Sequence, residues 1–151
     1  MRAKASSPPG PAARLVIADD HPLAREGMRA MLASEPDLEI VGEAEDGQEA
    51  LGLCRRLRPD LVLMDVRMPK MDGLEATREI KRELPRTIVL MVTSHENPDY
   101  LLEALKAGAG GYVLKEVSQR RMTEEIRRAL ASESPLNQAL AKQRVVIYVH
   151  S

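Results

Sequence analysis

Five times along the chain, a short run of apolar residues gives way to a stretch in which apolar residues recur every three or four positions. The runs are Leu15 to Ala18, then Leu38 with Ile40 and Val41, Leu61 to Met64, Thr87 to Val92, and Gly111 to Leu114. Short apolar runs bounded by turn residues predict strands buried on both faces, as in a parallel sheet. The recurring sets predict helices: Ala24, Met28, Met31 and Leu32; Ala50, Leu53, Cys54 and Leu57; Ala76, Ile80 and Leu84; Leu101, Leu102 and Leu105; Met122, Ile126, Ala129 and Leu130. Punctuation agrees. Pro22 suits a helix start, Gly47 opens the second helix, Asn97-Pro98 caps the fourth, and the fifth begins near Ser118. Pro36-Asp37, Arg58-Pro59, Pro85 and Gly108 end the first four.

Strands alternating with helices imply right-handed crossovers and an α/β fold with helices on both faces of a parallel sheet. One doubly wound domain is expected over residues 14–132. Residues 1–13, dominated by Ala, Ser, Pro and Gly, are expected to be a disordered tail.

Composition narrows the function. Net charge is −1 and aromatics make up 2%, which leaves neither a polyanion-binding bias nor a base-stacking surface. The single cysteine, Cys54, rules out an intrachain disulfide, and its place on a helical apolar face makes it a core residue. The sequence has neither an apolar run long enough to cross a membrane nor a secretory signal pattern, so cytoplasm is the expected location.

The chemistry lies after the strands. Asp19-Asp20 follow the first, Glu45-Asp46 the second, Asp65 the third, Thr93-Ser94 the fourth and Lys115 the fifth. In a parallel sheet these positions share one edge, where open α/β folds bind their ligands. Clustered carboxylates repel, and a hard divalent cation such as Mg2+ relieves that repulsion. Lys115 supplies a charge for a carboxylate or phosphate, and Thr93 a hydroxyl. A carboxylate beside such a metal and a lysine can attack phosphorus. Taken singly, each residue has a plain structural reading. Asp20 serves as a helix cap, Lys115 as a surface lysine and Thr93 as a strand end, while hairpin turns at Asp46-Gly47 and Asp72-Gly73 are opposed by the helical periodicity that follows each pair. His21 and His95 read as solvated loop histidines, and Arg120, Arg121, Arg127 and Arg128 as a solvated or partner-facing side of the fifth helix. The coincidence of several polar strand ends favours a site.

The motifs VIADDHP, LVLMDVRMPKMDG, LMVTS and GAGGYVLK resemble those of two-component response regulator receiver domains over residues 14–131. The segments DDHPLAREGMRAML and GEAEDGQEAL are closest to the FixJ/NarL/LuxR-type family, whose receivers precede a helix-turn-helix DNA-binding domain. The resemblance implies sheet order 2-1-3-4-5, an order the general description of such folds already attaches to a chemotaxis receiver. It makes Asp65 the phosphoacceptor. Asp19, Asp20, Asp65 and the Arg67 backbone carbonyl would hold Mg2+. Thr93 would be the switch hydroxyl, Lys115 the phosphate partner and Tyr112 the reorienting aromatic. Many receivers have Pro after the lysine with a cis bond. Here Glu116 stands there and a trans bond is expected, since a non-proline cis bond costs ~3 kcal/mol.

The implied function is a phosphorylation-controlled switch. Its phosphodonor would be a sensor histidine kinase, its output dimerisation or release of an effector, and its phosphoryl chemistry its own. Mg2+-dependent phosphatases of similar fold usually place Asp-x-Asp after the first strand, whereas the acids here are adjacent. A receiver working only as an interaction module is opposed by the full acid set with Thr93 and Lys115. Residues 133–151 are too short for a DNA-binding domain and are expected to be a linker or tail, with a possible short helix from Ser134-Pro135 to Lys142 and a strand from Arg144 to His150. Truncation before a DNA-binding domain is favoured over a natural single-domain regulator or a receiver with an unusual tail.

Overall fold

A computed structural model of the chain describes residues 11–94 and 98–132. Its elements alternate throughout: β1 (Ala13–Ala18), α1 (Pro22–Leu32), β2 (Leu38–Ala44), α2 (Gly47–Leu57), β3 (Leu61–Met64), α3 (Gly73–Glu83), β4 (Ile88–Thr93), α4 (Pro98–Ala107), β5 (Gly111–Leu114) and α5 (Gln119–Ala131). All four strand pairings are parallel, in the order β2-β1-β3-β4-β5. The expected doubly wound sheet and its strand order are therefore observed.

The sheet carries two apolar layers because alternate strand residues point to opposite faces. Val16, Val62, Met64, Val89 and Met91 meet Cys54 of α2 and Ile80 of α3 on one face. Leu15, Ile17, Leu61, Leu63 and Leu90 meet Met28 of α1 and Met122 and Ile126 of α5 on the other. Cys54 is wholly buried, and burial pushes its thiol up to about 12. Ellman's reagent should therefore leave Cys54 unmodified in the folded protein at neutral pH and titrate one thiol in denaturant.

The Asp-Gly pairs are helix starts, not hairpins. The Asp46, Asp72 and Ser118 side chains accept from the backbone N–H of Glu49, Glu75 and Arg121, three residues on, the N-cap geometry. Helix α1 begins differently, with Pro22 in its first turn and His21 at the cap position making no side-chain cap bond. Asp20 does not serve as that cap.

Three details depart from the pattern reading. Strand β1 extends back to Ala13, whose N–H donates to Asp37 O, while the Arg14 side chain donates to Leu57 O and its backbone N–H to Asp60 Oδ2. These polar contacts hold a strand end that an apolar run does not mark. Leu102, expected on the inner face of α4, is 46% exposed, and Ala104 and Ala107 are buried instead. The inner face is centred on Ala104, roughly 200° around the helix from Leu102. In β2, Leu15 pairs with Ile40 but Val16 with Gly42, leaving Val41 as a bulge. The bulge shifts the alternation by one, so Glu43 faces α1 rather than α2.

The basic side of α5 is neutralised locally. Arg121 and Arg128 pair with Glu125, and Arg120 lies near Glu124. Arg127 bonds Asp37 at 2.9 Å and Glu35 at 2.5 Å, tying α5 to the loop before β2. The solvated-face reading of these arginines fits. The possible helix and strand within 133–151 lie outside the described residues, as do His95 and nearly all of the expected N-terminal tail.

Candidate functional site

The strand ends are stitched together by their own backbone. Asp19 N–H donates to Ala44 O, Asp65 N–H to Ala18 O and Lys115 N–H to Thr93 O, at 2.8–3.0 Å. These bonds carry the ladder one residue beyond each strand, where the chain turns and side chains leave the core. Asp19, Asp20, His21 and Asp65 consequently offer ligand atoms all within 4.8 Å of one another. Asp19 is fully buried and Asp65 5% exposed, an environment that carboxylates enter only when paired or metal-bound.

Lys115 answers part of that need. Its Nζ lies 2.6 Å from Asp19 Oδ2 and 3.4 Å from Asp65 Oδ2. His21, its side chain 66% exposed, places Nδ1 3.0 Å from Asp19 Oδ1 and 3.1 Å from Asp20 Oδ1. It is solvated as expected, yet it also touches both acids, which the loop reading did not foresee. Its backbone N–H donates to Asp19 Oδ1 as well. Thr93 is buried at the end of β4, and Tyr112 of β5 packs half-buried against the layer facing α2 to α4.

Burial and the Asp19 charge raise the Asp65 carboxyl above its ordinary range, against the pull of Lys115. Asp19 goes the other way. Burial alone would raise it, but the Lys115 ammonium against it and hydrogen bonds from His21 outweigh that and hold it down. Burial works against the charge of Lys115, yet the Asp19 carboxylate in contact with it and the Asp65 charge raise it. One ammonium thus faces three carboxylates, which leaves an excess of negative charge at the edge.

Two buried oxygens, Asp19 Oδ2 and Asp20 Oδ1, have no aligned hydrogen-bond donor. The Lys115 contact to Asp19 Oδ2 is short but poorly directed, a charge contact rather than a satisfied hydrogen bond. Orphaned carboxylate oxygens in a cluster of three aspartates and one histidine, with excess negative charge, fit a hard divalent cation such as Mg2+ held by the carboxylates. Glu45 and Asp46, also at this edge, do not join the cluster. Asp46 caps α2, and the exposed Glu45 donates its backbone N–H to Glu49 Oε1.

One neighbour, Gly73, was not legible as a site residue, and the Arg67 side chain has a contact of its own. Gly73 sits against the backbone of Asp65, so that a Cβ there would lie 1.9 Å from Asp65 O. The exposed side chain of Arg67 leaves the cluster to donate to Tyr100 Oη of α4 at 3.0 Å. No peptide bond among the described residues is cis, and the Lys115–Glu116 bond is trans as expected.

Residues 15–127 match the response regulator receiver domain family. The chain is 42% identical over 114 residues to the transcriptional regulatory protein DegU of Brevibacillus brevis, covering 76% of this chain and 48% of that protein. It is 39% identical over 132 residues to the response regulator protein VraR of Staphylococcus aureus, covering 87% and 63%. It therefore spans only about half to three-fifths of the length of these relatives. Among solved structures, the signal receiver domain of the putative response regulator NarL from Mycobacterium tuberculosis superimposes with a TM-score of 0.77 at 36% identity, covering 81% of this chain and 98% of that one. No helix among the described residues is long and apolar enough to cross a membrane. With its five parallel strands in the receiver order and its acidic edge, the chain belongs to the response regulator receiver domain family, a signalling domain of two-component systems rather than a classical enzyme.

Proposed function

We propose that Asp65 accepts a phosphoryl group, with Asp19, Asp20 and Lys115 completing the site, and that the resulting acyl phosphate switches the domain's surface. The observation that carries this reading is a buried carboxylate beside one lysine and two further acids, two of whose oxygens lack an aligned hydrogen-bond donor.

An Asp65 carboxylate oxygen attacks phosphorus in line, forming an O–P bond as the bond from phosphorus to the donor's leaving group breaks. From a phosphohistidine the bond broken is P–N, and the imidazole leaves with a proton. Mg2+, held by Asp19, Asp20, Asp65 and the Arg67 backbone carbonyl, would neutralise charge on the transferring oxygens. Lys115, already between Asp19 and Asp65, is placed to move its charge onto a phosphoryl oxygen. Thr93 would donate its hydroxyl to the same group, and Tyr112, on the neighbouring strand, would reorient as Thr93 moves. The surface of α4, β5 and α5 would then take a second arrangement that favours dimerisation or frees an effector.

The donor in this reading is a sensor histidine kinase in the cytoplasm. The names of the relatives point to transcription regulation, exerted through a DNA-binding domain outside this chain. Residues 14–132 would be the phosphorylated unit, 1–13 a tail, and 133–151 a linker or tail.

The test is intact mass after incubation with acetyl phosphate. A gain of one phosphoryl group with Mg2+, lost when a chelator is present from the start, is the expected result. A chain that stays unmodified under both conditions contradicts the switch and leaves an interaction module.

A further inference from the structure

The turn carrying both N-terminal acids is held by backbone bonds and also by a side chain of α1. Helix α1 begins at Pro22, which has no N–H, and His21 caps nothing with its side chain. The Asp19 carbonyl lies beyond the last residue of β1. Its partner is Arg25, one turn into α1, whose Nη1 donates to it at 2.6 Å. The Arg25 side chain is only 15% exposed, and its Nε lies 3.3 Å from Glu43 Oε1. Arg29 holds the other Glu43 oxygen at 2.6 Å. Glu43 reaches this face of the sheet because of the Val41 bulge, without which it would face α2. The result is a brace running from edge strand β2 through Arg25 to the backbone of the first acid.

We propose that Arg25 is the positioning residue of the acid pair. Clamped by Glu43, its guanidinium fixes the Asp19 carbonyl, and so sets the Asp19 and Asp20 carboxylates at the separation one divalent cation needs. The inference rests on the metal reading of the proposed function and deepens it. A planar fork with several donors can hold a carboxylate and a carbonyl together, which a lysine ammonium on a flexible stem does poorly. Groups that orient metal ligands without touching the metal typically change affinity about 10- to 100-fold when removed.

Charge makes the proposal decidable. A guanidinium this close to the acids repels an incoming cation, so through electrostatics alone its removal would tighten Mg2+ binding. Positioning predicts the opposite sign. The experiment is calorimetric titration of Mg2+ into the unmodified chain, Arg25→Gln and Arg25→Lys, with thermal melts of each metal-free protein. Both variants are expected to bind Mg2+ about 10-fold or more weakly, the lysine variant despite its retained charge. In amide exchange of the metal-free variants, the His21 N–H, which donates to Asp19 Oδ1, should exchange faster. Equal or tighter Mg2+ binding by the variants, with normal binding by the unmodified chain, overturns the positioning role and leaves the metal site standing. Absence of Mg2+ binding in the unmodified chain overturns the metal reading and the inference with it. A lower melting temperature with unchanged affinity would make Arg25 a purely structural residue and also overturn the proposal.

Discussion

Asp65→Asn is expected to abolish phosphorylation and, in the absence of metal, to raise the melting temperature. The two effects share one cause. Asp65 is buried beside Asp19, and its raised carboxyl pKa means that the fold disfavours its charged form. For a group whose folded pKa lies above its unfolded one, stability is fully present below the unfolded pKa and is lost as pH rises through the folded value. At neutral pH the ionised carboxylate therefore costs stability, which Mg2+ would recover on binding. A neutral amide of nearly the same shape removes the repulsion, and a gain of roughly 1 kcal/mol would shift Tm by about 2–8 °C for a domain of this size. Lys115 keeps its shorter contact, to Asp19, so the variant does not strand a buried ammonium. The check is a pair of melts with and without Mg2+. The unmodified chain should gain from Mg2+, and Asp65→Asn should begin higher and gain less. A variant that melts lower without metal would show that Lys115, rather than Asp19, dominates the environment of Asp65.

Gly73→Ala should be the most damaging single methyl addition near the site. The added Cβ would lie 1.9 Å from Asp65 O and 3.1 Å from the Met64 side chain. The obstacle is the backbone of the acceptor, not the flexible end of a side chain, so relief requires moving β3 or the start of α3. Gly73 N–H also donates to Val66 O, which locks the two segments in register. Overpacking of this kind costs about 1–3 kcal/mol and occasionally more, and this contact belongs at the upper end. Denaturant unfolding should show that loss, together with weaker Mg2+ binding as Asp65 is displaced. Gly27→Ala is the control, because its Cβ would meet nothing within 4 Å. In a helix interior it should be neutral or stabilising. Equal behaviour of the two variants would sink the close-approach argument.

The contrast shows what the sequence could carry. Strand β3 has the predicted limits, Leu61 to Met64, because a fully buried parallel strand has no polar face to blur its pattern. The acids, Thr93 and Lys115 stood out because polar residues end apolar runs at topologically equivalent points, and parallel topology then gathers them. Gly73 looked like an ordinary turn residue of an Asp-Gly pair, since its constraint comes from the carbonyl of a residue eight positions earlier. Nothing in the pattern of the first helix singles out Arg25. Its role depends on a bulge in β2, and a single extra residue in a weakly apolar strand leaves no periodic trace. Leu102 was misplaced for a related reason. Two leucines in a row cannot both face inward, and the small residues Ala104 and Ala107 decide which side of α4 is buried.

Borohydride reduction of the chain after treatment with Mg2+ and acetyl phosphate tests the central claim most directly. Hydride reduces an acyl phosphate to a primary alcohol, so an aspartyl phosphate becomes homoserine and its position is read by peptide mapping. The account predicts homoserine at position 65 and at neither Asp19 nor Asp20. Homoserine at another aspartate, or none in a chain that has bound Mg2+, would contradict it.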